Sequence, residues 1–321
     1  MARPQARRSK FLSIGRLPAR LLRIPLKEAS FAVRGFRGRD GQARQRLEKI
    51  GVTFLLGYHA ALEEQDSAIL VQQLDRIDRE LRGFAFEGAA MGLALLDLLT
   101  PWKKDRWLSF FENGAAVHQY MTHVGVGWAL ARLQRWRKTH PSLIDPLLRW
   151  LAIDGYGFHE GYFHWRQFID AQAVPHRLSD YELRVFDQGL GRSIWFVEGG
   201  DVERIPATIE SFPVLRQADI WSGVGLACAY AGGVDRSAIE SLRDAAAPFA
   251  AHVAQGVAFA AKTRQRAGNS AAHTTLACEV LCGLSADVAA GITDAALIDL
   301  PVDGQVPAYE IWRQRIQAYF L

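Results

Sequence analysis

The run His159-Glu160-Gly161-Tyr162-Phe163-His164 puts two imidazoles and a carboxylate within six positions. These residue types ligate transition metals or move protons near neutral pH. Glu160 and His164 are four apart and share one face of a helix, so they suit a metal ligand set or an acid/base couple. His159 and His164 are five apart, about 140° round a regular helix, and could meet one ion only if the helix is distorted. The string therefore differs from the HExxH of zinc peptidases, whose histidines are four apart. A hydrogen-bonded polar patch is the plainer use of the same residues. His118 and His123, in HQYMTH, repeat the spacing of five. One residue from each pair, with Glu87 as a further carboxylate, could supply axial ligands to a haem or a mixed His/carboxylate iron site built between helices. The expected metal set is thus His118, His123, Glu160 and His164, with haem or non-haem iron as the cofactor classes. No CxxCH haem-attachment motif is present.

A second cluster lies in Phe186-Asp187-Gln188-Gly189-Leu190-Gly191-Arg192-Ser193-Ile194-Trp195-Phe196. Asp187 and Arg192 could orient a carboxylate or thioester-linked substrate against a wall of Trp195 and Phe196, or form a structural ion pair. Candidate catalytic residues are accordingly His159, Glu160, His164, Asp187 and Arg192. Candidate substrate-binding residues are Trp195, Phe196, Trp128 and Tyr162. The Gly-x-Gly strings follow no predicted strand and do not imply a nucleotide site.

Helices must position these groups. Ile69, Leu70, Leu74, Ile77 and Leu81 recur at helical spacing within 65–99, and Thr100-Pro101 ends that pattern. Alternating β-branched runs with Asn-Gly or Asp-Gly turns are absent, so the fold class expected is all-α, in one compact domain over 41–321. Breaks are expected at Thr139-His140-Pro141, Ala173-Val174-Pro175, Pro206, Pro213, Gly232-Gly233 and Gly268-Asn269. An internal duplication is also read. Leu47–Ala60 aligns without gaps on Leu151–His164, pairing Gly51 with Gly155, Phe54 with Phe158, Gly57 with Gly161 and Tyr58 with Tyr162. Further matches give one copy over about 45–140, a second over about 148–240 and a partial third over about 250–300. On that alignment Ile50, Leu55, Leu56 and Ala60 become Asp154, His159, Glu160 and His164. Ionisable groups at formerly apolar positions mark the second copy as the working one.

Residues 1–50 hold 14 Lys and Arg against 3 Asp and Glu, so the net charge of +4 is an N-terminal property. Residues 1–40 read as a basic, partly disordered arm able to touch an anionic membrane surface. No nucleic-acid motif accompanies it, and no apolar run reaches the length of a membrane span. The three cysteines, Cys228, Cys278 and Cys282, do not form a disulfide framework and fit a reducing cytoplasm.

The strings GFAFEGAAMGLALLD (83–97), HVGVGWALARL (123–133), DGYGFHEGYFHW (154–165), RVFDQGLGRSIWFVEG (184–199) and DIWSGVGLACAYAGG (219–233) resemble those of an accessory-protein family encoded beside enediyne polyketide synthases in bacterial clusters. The resemblance runs over essentially the whole chain after about residue 10. It implies a part in turning the linear polyene released by the synthase into the enediyne core, alongside other cassette proteins, some membrane-embedded and redox-related. The expected function is therefore an accessory protein acting on that polyene, oxidatively or by cyclisation. The alternative is a non-catalytic polyene-binding scaffold docked to a membrane-bound redox partner. The expected location is the cytoplasm, peripheral to the inner face of the membrane. The resemblance carries over a pathway and no catalytic residue.

Overall fold

The computed structural model describes residues 21–38, 41–100, 102, 105–133, 145–176 and 178–321. Among these there are fourteen α-helices of seven residues or more and no strand. Seven long helices carry the architecture: α1 (Gln42–Glu63), α2 (Arg82–Leu99), α3 (Gln119–Arg132), α4 (Trp150–Phe163), α5 (Asp180–Val197), α6 (Val214–Ala231) and α7 (Ala250–Arg266). Local signals set their starts. Ser179 and Glu182 form a reciprocal capping box at α5, and Pro213 precedes α6. At the far end of α6, Gly232 and Gly233 take positive φ, where a side chain would be strained. Pro206, expected to break the chain, instead sits in the first turn of the helix Arg204–Glu210, where its missing N–H costs nothing.

Each long helix packs against the next in chain order. The contacts are unusually close. A Cβ on Gly189 of α5 would fall on the Asp154 carbonyl oxygen of α4, and one on Gly157 of α4 would fall on the Phe186 carbonyl oxygen of α5. The same reciprocal arrangement joins α1 to α2 through Gly57 and Gly88, α3 to α4 through Gly127 and Gly155, α5 to α6 through Gly191 and Gly223, and α6 to α7 through Gly225 and Gly256. Glycine brings the backbones near enough for Cα–H···O=C contacts. Residues two apart lie about 200° round a helix, so each Gly-x-Gly faces two opposite neighbours. That is the signature of a helix flanked on both sides.

Contacts that advance together along both helices give their direction. Gly88 meets Phe54 and Gly92 meets Tyr58; likewise Gly157 meets Phe186 and Gly161 meets Ser193. Neighbouring long helices therefore run parallel, and the segments between them, with their short helices such as Ser67–Leu74, Arg204–Glu210 and Arg236–Ala245, return the chain to the starting end. The row curls on itself. Arg264 at the end of α7 donates to the Glu80 carbonyl just before α2, Phe84 of α2 stacks edge-on against Tyr230 of α6 at 5.0 Å, and Arg46 of α1 reaches the Ala231 carbonyl at the end of α6.

The junctions share this contact pattern, but the described residues do not confirm the hundred-residue duplication read from the sequence. In contact terms Gly57 plays at the α1–α2 junction the part Gly157 plays at the α4–α5 junction, so the pairing of Gly57 with Gly161 is one turn out of register. Leu55 and His159 are then not equivalent packing sites. The hundred-residue offset spans three such helices.

Residues 1–20 of the basic arm lie outside the described residues, as does the break at 139–141. Over residues 22–38 the arm is packed, earlier than its charge suggested, because Ile24, Phe31 and Phe36 are buried against the helices. Tyr58 donates to the Leu22 carbonyl at 2.7 Å, and the Arg37 N–H to that of Val197 at 2.7 Å. Cys228 and Cys278 are buried in the core without disulfides, and burial pushes both thiols up to about 12. Among the described residues no single helix is long and apolar enough to cross a membrane.

Candidate functional site

The inward faces of α1 to α5 surround a small apolar cavity of about 30 Å³. Phe54, Phe84, Trp128, Phe158, Tyr162, Phe163 and Phe196 line it, with Ile50 and Leu55. Half-buried Glu28 and buried Ala29 of the N-terminal segment also line it, and Glu87 is its fully buried polar group. The Trp128 indole N–H donates to Glu87 Oε1 at 3.1 Å. The cavity is narrow, so a ligand enters only if its walls part. Ring centroids of Phe54 and Phe158 lie 4.6 and 4.9 Å from that of Trp128, a packing that suits a flat conjugated molecule.

Behind Glu87 stands a buried ionic cluster. Arg192 of α5 pairs with Asp154 of α4, lies 4.0 Å from Glu87 and covers the Phe158 ring at 4.5 Å. Gln188 donates to the other Asp154 oxygen at 2.8 Å. Burial raises the Glu87 carboxyl to about 7; Arg192 pulls it down, the Asp154 charge pushes it up and the Trp128 hydrogen bond pulls it down. On the far side of this cluster a second cavity of about 30 Å³ is bounded by Asp154, Arg192, Tyr230, Phe259, Lys262 and Trp312. The Glu87–Arg192–Asp154 group touches both cavities, since Glu87 lines the first and Arg192 and Asp154 line the second.

Of the expected substrate-binding residues, Trp128, Tyr162 and Phe196 line the first cavity. Trp195 does not: it is fully buried on another face of α5, donating to the Gly232 carbonyl at 3.1 Å. Asp187 and Arg192 do not meet, because five helical positions set them about 140° apart. Asp187 is held by Arg216, at 2.8 and 2.6 Å, and burial pushes its carboxyl up to about 6 against that pairing. Asp219 is bound by Arg313 at 2.6 Å and Arg184 at 2.9 Å. These are structural ion pairs.

His159, Glu160 and His164 do come together, at the end of α4. His159 Nδ1 lies 3.1 Å from Glu160 Oε1 and His164 Nδ1 lies 2.9 Å from Glu160 Oε2. The distortion that the spacing of five demanded is present. The helix stops at Phe163, His164 leaves helical geometry at φ −126° and ψ 35°, and a π-helical turn follows over Arg166–Asp170. Contacts from the N-terminal segment fix this end: Arg34 donates to the Phe163 carbonyl at 2.6 Å and Trp165 to that of Arg34 at 3.0 Å. His159 and Glu160 are buried, whereas the His164 side chain is half-exposed. Burial lowers the His159 pKa, opposed by its hydrogen bond to Glu160 and by the Glu160 charge. The His159 ring meets Trp128 edge-on at 5.6 Å, and Phe163 lies 4.9 Å from it, so the cluster backs onto the cavity wall.

His118 and His123 stay apart from that cluster, and the four-residue metal set His118, His123, Glu160 and His164 does not assemble. They lie at the start of α3, away from the end of α4. His118 stacks on Phe86 at 4.2 Å, and His123 binds the Gln119 carbonyl at 2.7 Å with its edge against Trp107 and Phe111. Burial pushes His118 down to about 4, with Arg82 and Arg264 adding to the effect.

Sequence reasoning passed over Phe84, Phe163 and Gln188, which line or brace the site. Phe54 and Phe158 were singled out only through an alignment whose register the helix contacts do not support. Arg216 and Arg313, which neutralise Asp187 and Asp219, carried none, because their partners are 29 and 94 residues away.

No curated protein and no solved structure matches the chain. The family described as a protein of unknown function (DUF1702) matches residues 13–320, and the chain belongs to it.

Proposed function

We propose that this protein binds a long, conjugated, apolar molecule in the aromatic cavity and acts on it there. In the pathway its sequence resembles, that molecule is the linear polyene released by an enediyne polyketide synthase. The observation that carries the reading is the cavity itself: seven aromatic rings around the Glu87 carboxyl, which burial brings to about 7. Apolar walls with one or two placed polar groups are the usual make-up of a small-molecule site. Entry requires the walls to part, because the space between the rings is only about 30 Å³.

The cluster of His159, Glu160 and His164 against the cavity wall favours an oxidative or cyclising enzyme over a passive scaffold. A producing strain whose own gene carries His159→Leu, Glu160→Leu and His164→Ala distinguishes the two. The enzyme reading predicts soluble, folded protein and loss of the mature core. Undiminished product would reduce the protein to a holder of the polyene, docked to a redox partner through its basic N-terminal arm.

A further inference from the structure

Seven carboxylates are buried among the described residues: Glu87, Asp154, Glu160, Asp187, Glu198, Asp219 and Glu310. Six have an arginine within 4.0 Å. Arg192 serves Glu87 and Asp154, Arg216 serves Asp187, Arg37 and Arg204 serve Glu198, Arg313 and Arg184 serve Asp219 and Glu310. Glu160 differs, because the groups that reach it are the two imidazoles. A buried carboxylate needs a positive partner to offset its lost hydration. Here that partner is either a proton on an imidazole or a cation that both imidazoles and the carboxylate share.

The geometry points to the second. We propose that His159, Glu160 and His164 bind one divalent first-row transition ion, of the zinc or ferrous class, with coordination positions left open. One ligand atom from each residue lies within 4.8 Å of the others. Ligands on neighbouring corners around an ion at about 2.1 Å stand roughly 3 to 3.4 Å apart; His159 Nδ1 lies 3.1 Å from Glu160 Oε1 and His164 Nδ1 lies 2.9 Å from Glu160 Oε2, so the carboxylate meets each imidazole with a different oxygen and would ligate through both. Two nitrogens and a carboxylate suit zinc, iron and their neighbours rather than magnesium or calcium. The departure of His164 from the helix turns what would be a divergent pair into a convergent one. The half-exposed His164 side leaves a route for the ion. This inference is independent of what the aromatic cavity holds.

The test uses untagged full-length protein stripped with a chelator, loaded separately with Zn(II) or Co(II), desalted and analysed for metal. The expected result is about one equivalent per chain for both ions, with Co(II) showing the visible absorption of a nitrogen- and oxygen-ligated ion. His164→Ala, at a half-exposed position, and Glu160→Gln, of equal size, are each expected to weaken Zn(II) binding about tenfold or more while circular dichroism stays unchanged. Zinc retained at well below one equivalent by the wild type, or held equally by His164→Ala, would overturn the site and leave a hydrogen-bonded His–Glu–His group. Ligand binding by the stripped protein is measured in parallel, so failure of the metal site is distinguishable from failure of the cavity.

Discussion

Glu87 is the residue on which the chemistry of the interior turns, since it is the fully buried carboxyl that lines the aromatic cavity. Its ordinary value is 4.5 and burial brings it to about 7, so the folded chain holds a proton there that the unfolded chain has released. The sign follows: the stability tied to this group is full below about pH 4.5, drains away as pH rises towards 7 and then levels off. Glu87→Gln keeps the acceptor for the Trp128 N–H and removes the titration. In urea unfolding, the wild type should lose about 2–3 kcal/mol more than Glu87→Gln between about pH 5 and about pH 8. Equal slopes for the two proteins would show that Glu87 is ionised in the fold and well paired. Residue identity revealed part of this site in advance. Glu160 and His164 were legible from their spacing of four, and His159 only conditionally, because the end of α4 is set by Arg34, from a segment about 130 residues earlier, which binds Phe163 and Trp165. Asp187 and Arg192 looked like a pair in the chain, but their faces diverge and each is neutralised from another helix.

At the scale of elements, glycine sets how close the long helices come. Gly189→Ala would drive a methyl group into the Asp154 carbonyl, and backbone cannot step aside as a side chain can. A loss of at least about 2 kcal/mol in unfolding free energy is expected. Gly291, in the helix Ala286–Ala295, has open space where its Cβ would go, and Gly291→Ala should gain about 0.5–1 kcal/mol from helix propensity alone. Thermal melts of the pair check the claim. Comparable effects of the two changes would mean that the close contacts contribute nothing. Helix content was legible from the 3.6-residue spacing of apolar positions and from breaks at proline and glycine. The glycine pairs were visible as well, but a single Gly-x-Gly does not say which neighbour each residue faces. The parallel course of the helices follows from that pairing and lay beyond local reading. So did the register of the recurrence, where one turn of slip moved Gly57 from its counterpart Gly157 to Gly161.

For the molecule as a whole, seven parallel helices curl into one body whose centre is charged and whose flanks are aromatic. The N-terminal segment straps over the ends of α4 and α5 and lines part of the cavity, so basic residues near the start of the chain serve the site rather than only its surroundings. The central claim is that this interior receives a neutral conjugated molecule. Diphenylhexatriene, a neutral conjugated triene whose emission rises on leaving water, tests it most directly when titrated against the full chain and against Ile50→Trp, which fills the cavity wall. The account predicts saturable binding near one equivalent in the wild type and affinity weakened about tenfold or more in folded Ile50→Trp. Absence of saturable binding, or binding that Ile50→Trp leaves untouched, would contradict it.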